Sequence, residues 1–275
     1  MNYYSLISSM NKTPGVDTDA LAFITAASIT DNTQKSAINT LVSDLKTANI
    51  WTKMKAIYPF VGGTAAQHRF NLKDPRAVDD AFYLDFLGGG GHSATGYLPN
   101  GTTSYANTKL LPNAVLNETN FSHLSYYSNT STGYASEYVM GSNDGGPAYK
   151  TLLMTARRTT GEQSFFSDFN NATYRGVKNL LQTNGSGLFL GTQQGANVKL
   201  FRQNVLQSSN TNIKTSTGTS PYAVYIGCTN DAGTAVQYTN KVCSLSSIGD
   251  SLTDAEATAF YTAVQAYQTT LSRNI

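Results

Sequence analysis

The sequence is poor in charge. Only 13% of its 275 residues are Asp, Glu, Lys or Arg, with a formal net charge of +2, whereas about a quarter of an ordinary soluble domain is charged. The basic residues form no cluster of the kind that nucleic-acid binding requires, and no run reaches the roughly 18 uncharged apolar residues of a membrane span. We therefore expect neither a nucleic-acid partner nor a membrane. The first ten residues carry no Lys or Arg before their short apolar piece, so we expect no secretion signal.

Cysteine is also scarce. The two cysteines, Cys228 and Cys243, fall in stretches that we predict to be successive antiparallel strands, 222–228 and 237–245. A hairpin between these strands would place Cys228 opposite a residue near Gln237. At about 3.3 Å per residue, the remaining offset to the second cysteine exceeds disulfide reach. We predict two reduced, half-buried thiols.

The chain is rich in Thr, Ser, Asn, Gly and Tyr, with 17 tyrosines. These residues suit twisted strands joined by polar turns. Two helices are predicted near the N-terminus. The first opens at Asp17 or Thr18, and the second opens at Asp31, where Gln34 completes a capping-box pattern. A third helix opens with the same pattern at Thr253.

Between these helices the chain is a series of short β-branched or aromatic runs broken by turn residues. Many short strands with polar turns and no βαβ alternation predict a mainly β sandwich or barrel. The predicted strands are 54–61, 81–87, 123–127, 134–140, 149–155, 187–190, 198–203, 222–228 and 237–245.

One motif imitates a hydrolase. The run 249–254, GDSLTD, matches the nucleophile block of the GDSL esterases, and 141–144, GSND, imitates their oxyanion block. A serine nucleophile needs a base and an acid that orients it, but only a helix without histidine follows Ser251. None of the three histidines has an Asp three residues before it: His68, His92 and His123. We interpret the motif as a turn before a helix cap and predict no catalytic residue.

Carboxylates and amides could form two further kinds of site, a glycosidase site or a calcium site. Glycosidases need two carboxylates a few ångströms apart, but Asp79, Asp80 and Asp85 border a predicted strand without the alternation that would place them so. The pairs 143–144 and 230–231, both Asn-Asp, could offer oxygens to calcium from a loop, and each lies beside Gly as a turn would. The histidines are isolated in the sequence. We predict turns and solvated carboxylates, no metal and no cofactor.

The remaining signal is an aromatic and polar surface. Tyr97, Tyr105, Tyr126 and Tyr127 lie in or near segments rich in Asn, Ser and Thr that we predict to be loops. Such a surface suits either a sugar or a protein interface. These four tyrosines are the candidate ligand-binding residues.

Three stretches together carry a resemblance. They are DALAFI at 19–24, IWTKMKAIYPFVGG leading into HRFNLKDPR over 50–76, and SSIGDSLTDAE running on to FYTAVQ over 246–265. They resemble a group of tailed-phage virion proteins whose modules are concanavalin A-like (laminin-G-like) jelly rolls. The resemblance implies a β-sandwich with an N-terminal helical hairpin and a C-terminal helix. It implies no catalytic residue.

We therefore expect an arm over 1–16, a helical hairpin over 17–50, and a sandwich over 51–275 that ends in a helix. The resemblance implies a non-enzymatic structural protein of the phage surface, made in the host bacterial cytoplasm and assembled into the virion. We expect a homo-oligomeric capsid decoration or head-fibre component, docked on other capsid or tail proteins through its arm and hairpin. The alternative is a tail-fibre or baseplate adhesin that recognises host glycans through the loop tyrosines.

Overall fold

The structure, a computed structural model, describes most of the chain and shows two stacked β-sheets with helices packed on one of them. The fold class predicted from the sequence, a mainly β sandwich with an N-terminal helical hairpin and a C-terminal helix, is confirmed. The described residues are 15–116, 121–132, 137–146, 150–167, 176–180, 182–211 and 218–275.

The helices within the described residues begin where their capping residues predict. Asp17 caps the first helix, and Thr253 forms a complete capping box with Glu256 at the last. Asp31 caps the second helix through Gln34 N, but the Gln34 side chain does not return to the cap; its Oε1 accepts a hydrogen bond from Gly62 N at 2.8 Å instead. The helices are α1 (Thr18–Ala26), α2 (Asn32–Thr47), α3 (Ala65–His68), α4 (Pro112–Val115) and α5 (Asp254–Thr270), with 3-10 turns at Trp51–Lys53 and Asp79–Ala81.

The first sheet is antiparallel throughout its described pairs. Its spatial order is β13 (Val205–Asn210), β12 (Asn197–Arg202), β11 (Gly187–Gln194), β6 (Phe121–Ser128), β17 (Cys243–Gly249), β4 (Gly96–Leu98) and β3 (Gly91–Ser93), and β1 (Met54–Tyr58) pairs with β17.

The second sheet contains one parallel pair among its described strands. Its order is β10 (Gly176–Asn179), β9 (Gln163–Ser167), β8 (Thr151–Thr155), β7 (Met140–Asn143), β14 (Tyr225–Ile226), β5 (Tyr105–Asn107) and β2 (Asp85–Leu87). A short hairpin of β15 (Thr229–Asp231) and β16 (Thr234–Val236) joins it, and β15 runs parallel to β7.

The first sheet is buried on both faces. Along β11, Leu188 and Leu190 pack with the helices α1, α2 and α5, whereas Phe189 between them packs with the second sheet. This division follows from the two-residue repeat of a strand. The first sheet is therefore a middle layer. The helical layer covers one side of it, the second sheet covers the other, and the outer face of the second sheet lies on the far side from the helices.

Two of the predicted strands begin later than predicted, whereas the hairpin predicted after Cys228 is confirmed: β15 pairs with β16, and Thr229 is opposite Val236, a register that extends to Cys228 opposite Gln237. The strand predicted at 134–140 begins at Met140, with 133–136 outside the described residues, and the one predicted at 237–245 begins at Cys243. Cys243 lies beyond this hairpin, in β17 of the first sheet, so the two cysteines are not cross-strand neighbours. Both cysteines are free and fully buried, rather than half-buried.

Loss of packing between the helices and the first sheet should destabilise the protein strongly. Phe260 of α5 is buried in that interface. We expect Phe260→Ala to lower the free energy of unfolding by about 3–5 kcal/mol, because truncation leaves a cavity. Denaturant unfolding measures the effect. Thr262→Ala, at an exposed position of the same helix, is the control, and equal stability of the two variants would contradict the packing described.

Candidate functional site

Three of the four candidate tyrosines are core residues. Tyr97 lies in β4, and Tyr126 and Tyr127 lie in β6, all fully buried. The Tyr126 hydroxyl donates to Lys241 O at 2.7 Å, and the Tyr127 hydroxyl accepts from Ile275 N at 3.0 Å. Tyr126 and Tyr127 belong to the strand predicted at 123–127, which is confirmed, and none of the three rings lies on the surface that was expected near the loops. Their rings cannot contact a ligand without unfolding the sheets.

Tyr105 differs from the other three, because it lies on the outer face of the second sheet. Ala106, the next residue of β5, packs in the core between the sheets. Strand alternation therefore turns Tyr105 and Asn107 outward. In the neighbouring strands, Leu87 is paired with Tyr105 and Tyr225 with Asn107.

Tyr105 belongs to a cluster of three tyrosines, which we call the tyrosine platform: Tyr105, Tyr225 and Tyr238. The Tyr105 and Tyr225 rings are stacked with their centroids 4.5 Å apart and 29° between their planes, and the Tyr238 ring lies 6.4 Å from Tyr105. Tyr225 is 8% exposed, while Tyr105 and Tyr238 are partly exposed. Burial raises the pKa of all three hydroxyls, so they remain donors at neutral pH.

Polar groups border the tyrosine platform on the side of β2. Asp85 is paired with Asn107 across the strands, and Asn107 is paired with Tyr225. The Asn107 Oδ1 accepts from Lys109 N at 2.8 Å. The ammonium of Lys109 lies 3.0 Å from the Asp85 carboxylate and 2.5 Å from that of Asp79. The face therefore combines aromatic rings with an amide and a carboxylate.

Sequence analysis identified Tyr105 but missed Tyr225 and Tyr238. Tyr225 stands in a predicted strand, where a tyrosine is ordinarily a packing residue, and 120 residues separate it from Tyr105 in the chain. A local pattern carries no information on that pairing. Only the placement of β14 beside β5 brings the two rings together.

The esterase-like motif lies in the core. Ser251 is buried, with 4% exposed, and Thr253 caps α5 as predicted. A histidine does lie near a serine, but it is His123 against Ser247, at 3.0 Å between Nε2 and Oγ. The other ring nitrogen of His123, Nδ1, lies 2.7 Å from the backbone carbonyl oxygen of Asp250, so its partner is not a carboxylate. Burial lowers the pKa of His123 to about 4, so the ring is a neutral packing group in the sheet.

The prediction that the histidines are isolated is wrong for two of them. The Nδ1 atoms of His68 and His92 are 3.0 Å apart, and their rings pack among Phe60, Phe86 and Tyr97. Burial, with a smaller contribution from the neighbouring His92 and Arg273, lowers the pKa of His68 to about 3. Burial lowers the pKa of His92 as well.

The two Asn-Asp turns come together in space. The parallel pairing of β7 with β15 places Asn143 opposite Asp231, and Asn143 O accepts from Ala232 N at 3.0 Å. The Asn143 and Asp144 side chains accept turn hydrogen bonds, from Gly145 N at 2.7 Å and Lys150 N at 3.0 Å. Across the described ranges, no three His, Cys, Asp or Glu side chains converge as metal ligands would.

A search for membrane-spanning helices among the described residues found none that is long and apolar enough. Comparison with protein-family models and with curated protein sequences finds no match.

Among solved structures, the chain is similar to several carbohydrate-active proteins. Domain 4 of AbnA, a GH43 extracellular arabinanase from Geobacillus stearothermophilus, solved in complex with arabinotriose, is 14% identical with a TM-score of 0.49, over 76% of this chain and 98% of that one. The Ruminococcus gnavus IT-sialidase CBM40 bound to α2,6 sialyllactose is 15% identical with a TM-score of 0.41, over 51% of this chain and 82% of that one.

The NanB sialidase from Streptococcus pneumoniae is 9% identical with a TM-score of 0.45, over 58% of this chain and 26% of that one. At such identities and TM-scores, these similarities say nothing about what this chain binds.

The buried histidines predict acid sensitivity. The pKa is about 3 for His68 and about 4 for His123 in the folded chain, against about 6.5 when unfolded. Below about pH 6.5 the unfolded chain therefore binds protons that the folded chain does not. We expect the free energy of unfolding to fall as the pH drops from 6.5 towards 4, by up to about 1.4 kcal/mol per pH unit for each such group.

Denaturant unfolding at pH 7 and pH 5 measures this loss. His123→Asn should show a smaller loss of stability between the two pH values than the unsubstituted chain, whereas Thr262→Ala should keep the full loss. The assignment is refuted if His123→Asn retains the full loss.

Proposed function

We propose that this chain is a non-enzymatic surface module that binds carbohydrate on the tyrosine platform. The observation that carries the proposal is the stacked pair of Tyr105 and Tyr225 on the outer sheet face, with Tyr238 beside it. Both faces of the first sheet and the inner face of the second are occupied by packing. On the outer face of the second sheet, the part over β8 and β9 is also buried, whereas the part over β2, β5 and β14 carries the partly exposed rings of the tyrosine platform.

The chemistry of this face suits a sugar. A pyranose ring has one face of C–H groups, which packs on an aromatic ring, and an edge of hydroxyls, which both donate and accept hydrogen bonds. Partly exposed Tyr105 supplies the aromatic ring. Asn107 and Asp85, in the next cross-strand row, supply a donor and an acceptor.

The non-enzymatic part of the proposal is supported by the position of the esterase-like motif. Ser251 is buried at the start of α5, and its carbonyl oxygen accepts from the Lys53 ammonium at 3.2 Å. The one histidine in contact with a serine of β17, His123, is fully buried. A nucleophile needs access to substrate and a base oriented by an acid, and these residues meet neither condition.

For the biological setting we propose a phage virion. The support is the sequence resemblance over 19–24, 50–76 and 246–265. One structural feature favours the docking role of a capsid decoration or head fibre. Val16, the last residue of the expected arm, and Leu21 of α1 are 53% and 51% exposed; residues 1–14 are outside the described part of the chain. Exposed apolar side chains at one place suit a protein interface.

Removal of the partly exposed Tyr105 ring should weaken glycan binding without unfolding the chain. We expect Tyr105→Ala to weaken binding by about tenfold or more, since stacking of a ring on an aromatic side chain is worth roughly 1–3 kcal/mol. Glycan-array screening followed by calorimetry measures it. Tyr261→Ala, at a partly exposed tyrosine of α5 on the helical side, is the matched control. Binding unchanged in Tyr105→Ala would remove the proposed site.

The virion setting has its own test. We expect deletion of residues 2–16, or Leu21→Asp, to release the protein from purified phage particles, since both changes alter the proposed docking surface. Gradient sedimentation with immunodetection measures retention on the particles. Val205→Asp, which introduces the same charge at an exposed apolar position of β13, should remain bound. Full retention of the deletion variant would contradict docking through this surface.

A further inference from the structure

We infer that the tyrosine platform selects neutral glycans and discriminates against glycans that carry carboxylates, such as sialylated or uronic acid chains. This inference rests on the proposed function and specifies its ligand class. It is carried by the side chains that border the tyrosine platform on the β2 side, and above all by Asp85.

Asp85 shares the outer face with the rings. In the cross-strand register, Asp85 is opposite Asn107, and Asn107 is opposite Tyr225. The adjacent residue in each strand, Phe86 after Asp85 in β2 and Ala106 before Asn107 in β5, packs towards the core. Strand alternation therefore presents the carboxylate, the amide and a ring in one row. The Asp85 side chain is 49% exposed, so a ligand on the rings can reach it.

The charge at this edge is negative. The 3-10 turn at Asp79–Ala81 and the loop before it bring three more carboxylates close to β2, and two cations are ion-paired with the four. These residues are Asp74, Asp79, Asp80 and Asp85 with Arg76 and Lys109. A formal excess of two negative charges results, and both cations are already held by carboxylates.

The Lys109 ammonium is a cation of this edge that is already paired. It is 18% exposed and lies within 3.0 Å of both Asp79 and Asp85. To pair with a sugar carboxylate, it would have to give up one of these partners. An incoming carboxylate would also meet Asp85 itself, and like charges at close range in a partly desolvated site repel. A negatively charged sugar therefore finds the Lys109 ammonium already paired with Asp79 and Asp85, and the Asp85 carboxylate repels it.

Neutral sugar hydroxyls fit the same groups. A carboxylate accepts from hydroxyl donors, and such charge-assisted hydrogen bonds are stronger than neutral ones. The Asn107 oxygen is held by Lys109 N, which orients the side-chain amide as a donor for a hydroxyl oxygen. Of two adjacent sugar hydroxyls, one can donate a hydrogen bond to the Asp85 carboxylate, and the oxygen of the other can accept one from the Asn107 amide.

The test compares matched glycans on the full chain by calorimetry. Lactose and sialyllactose form one pair, and a neutral galactan and polygalacturonate form a second. We expect the neutral glycan of each pair to bind at least about tenfold more tightly than the carboxylated one. This difference in affinity, which we call the gap, should narrow as the salt concentration rises, because salt screens the repulsion. Asp85→Asn should weaken neutral binding by about tenfold, the cost of a charge-assisted hydrogen bond, and should narrow the gap. Asp254→Asn, which removes an exposed carboxylate of α5 on the helical side of the sandwich, should change neither the neutral affinity nor the gap.

The possible failures are distinguishable. If the chain binds no glycan of any kind, the proposed function itself fails. If glycan binding is present and lost in Tyr105→Ala, but carboxylated glycans bind as tightly as neutral ones or better, the site stands and the selectivity inference is overturned. If Asp85→Asn leaves both affinities and the gap unchanged, Asp85 does not set the selectivity and the inference is likewise overturned.

Discussion

The architecture depends on a single constraint: the first sheet is buried on both faces, each of which carries apolar side chains. Ile57 of β1 faces the helical layer while Ala56 and Tyr58 face the second sheet. Exposing either face would cost roughly 25 cal/mol for each Å² of apolar surface. Both faces must therefore be covered, so the helices and the second sheet are both required. The tyrosine platform lies on the outer face of the second sheet, over β5 and β14.

Polar contacts fix how the helical layer sits on that sheet. Lys53 and Lys55, flanking the start of β1, pair with Glu256 at 2.6 Å and Asp250 at 2.9 Å. The Tyr267 hydroxyl donates to Pro59 O at 2.8 Å, and the largely buried Arg273 guanidinium donates to Phe60 O at 3.0 Å. Apolar packing alone tolerates sliding, whereas hydrogen bonds to particular backbone carbonyls set one position. The C-terminal helix is thereby held in register with β1.

Sequence patterns correctly predicted the features that depend on contacts between residues close together in the chain. The caps at Asp17, Asp31 and Thr253 are confirmed because a cap is a contact within four residues. Errors arose where burial overrides local composition. The segment 123–127 was predicted as a strand, but its serines suggested an exposed polar surface, whereas in β6 they are buried and hydrogen-bonded, as Ser125 is to Ser247 at 2.7 Å. A polar strand inside a sandwich is stable when its neighbours satisfy its hydroxyls, and these neighbours are distant in the chain.

By itself, the sequence determined the class of fold, the helix starts and one platform residue, Tyr105, because periodicity, caps and composition act over a few residues. The tertiary structure decided the rest. It placed Cys243 in the first sheet, away from the hairpin that follows Cys228, brought Tyr225 beside Tyr105, and aligned Asp85 with the rings. The physical reason is that strand order and register are set by which apolar faces meet. That choice depends on the whole chain rather than on any segment of it.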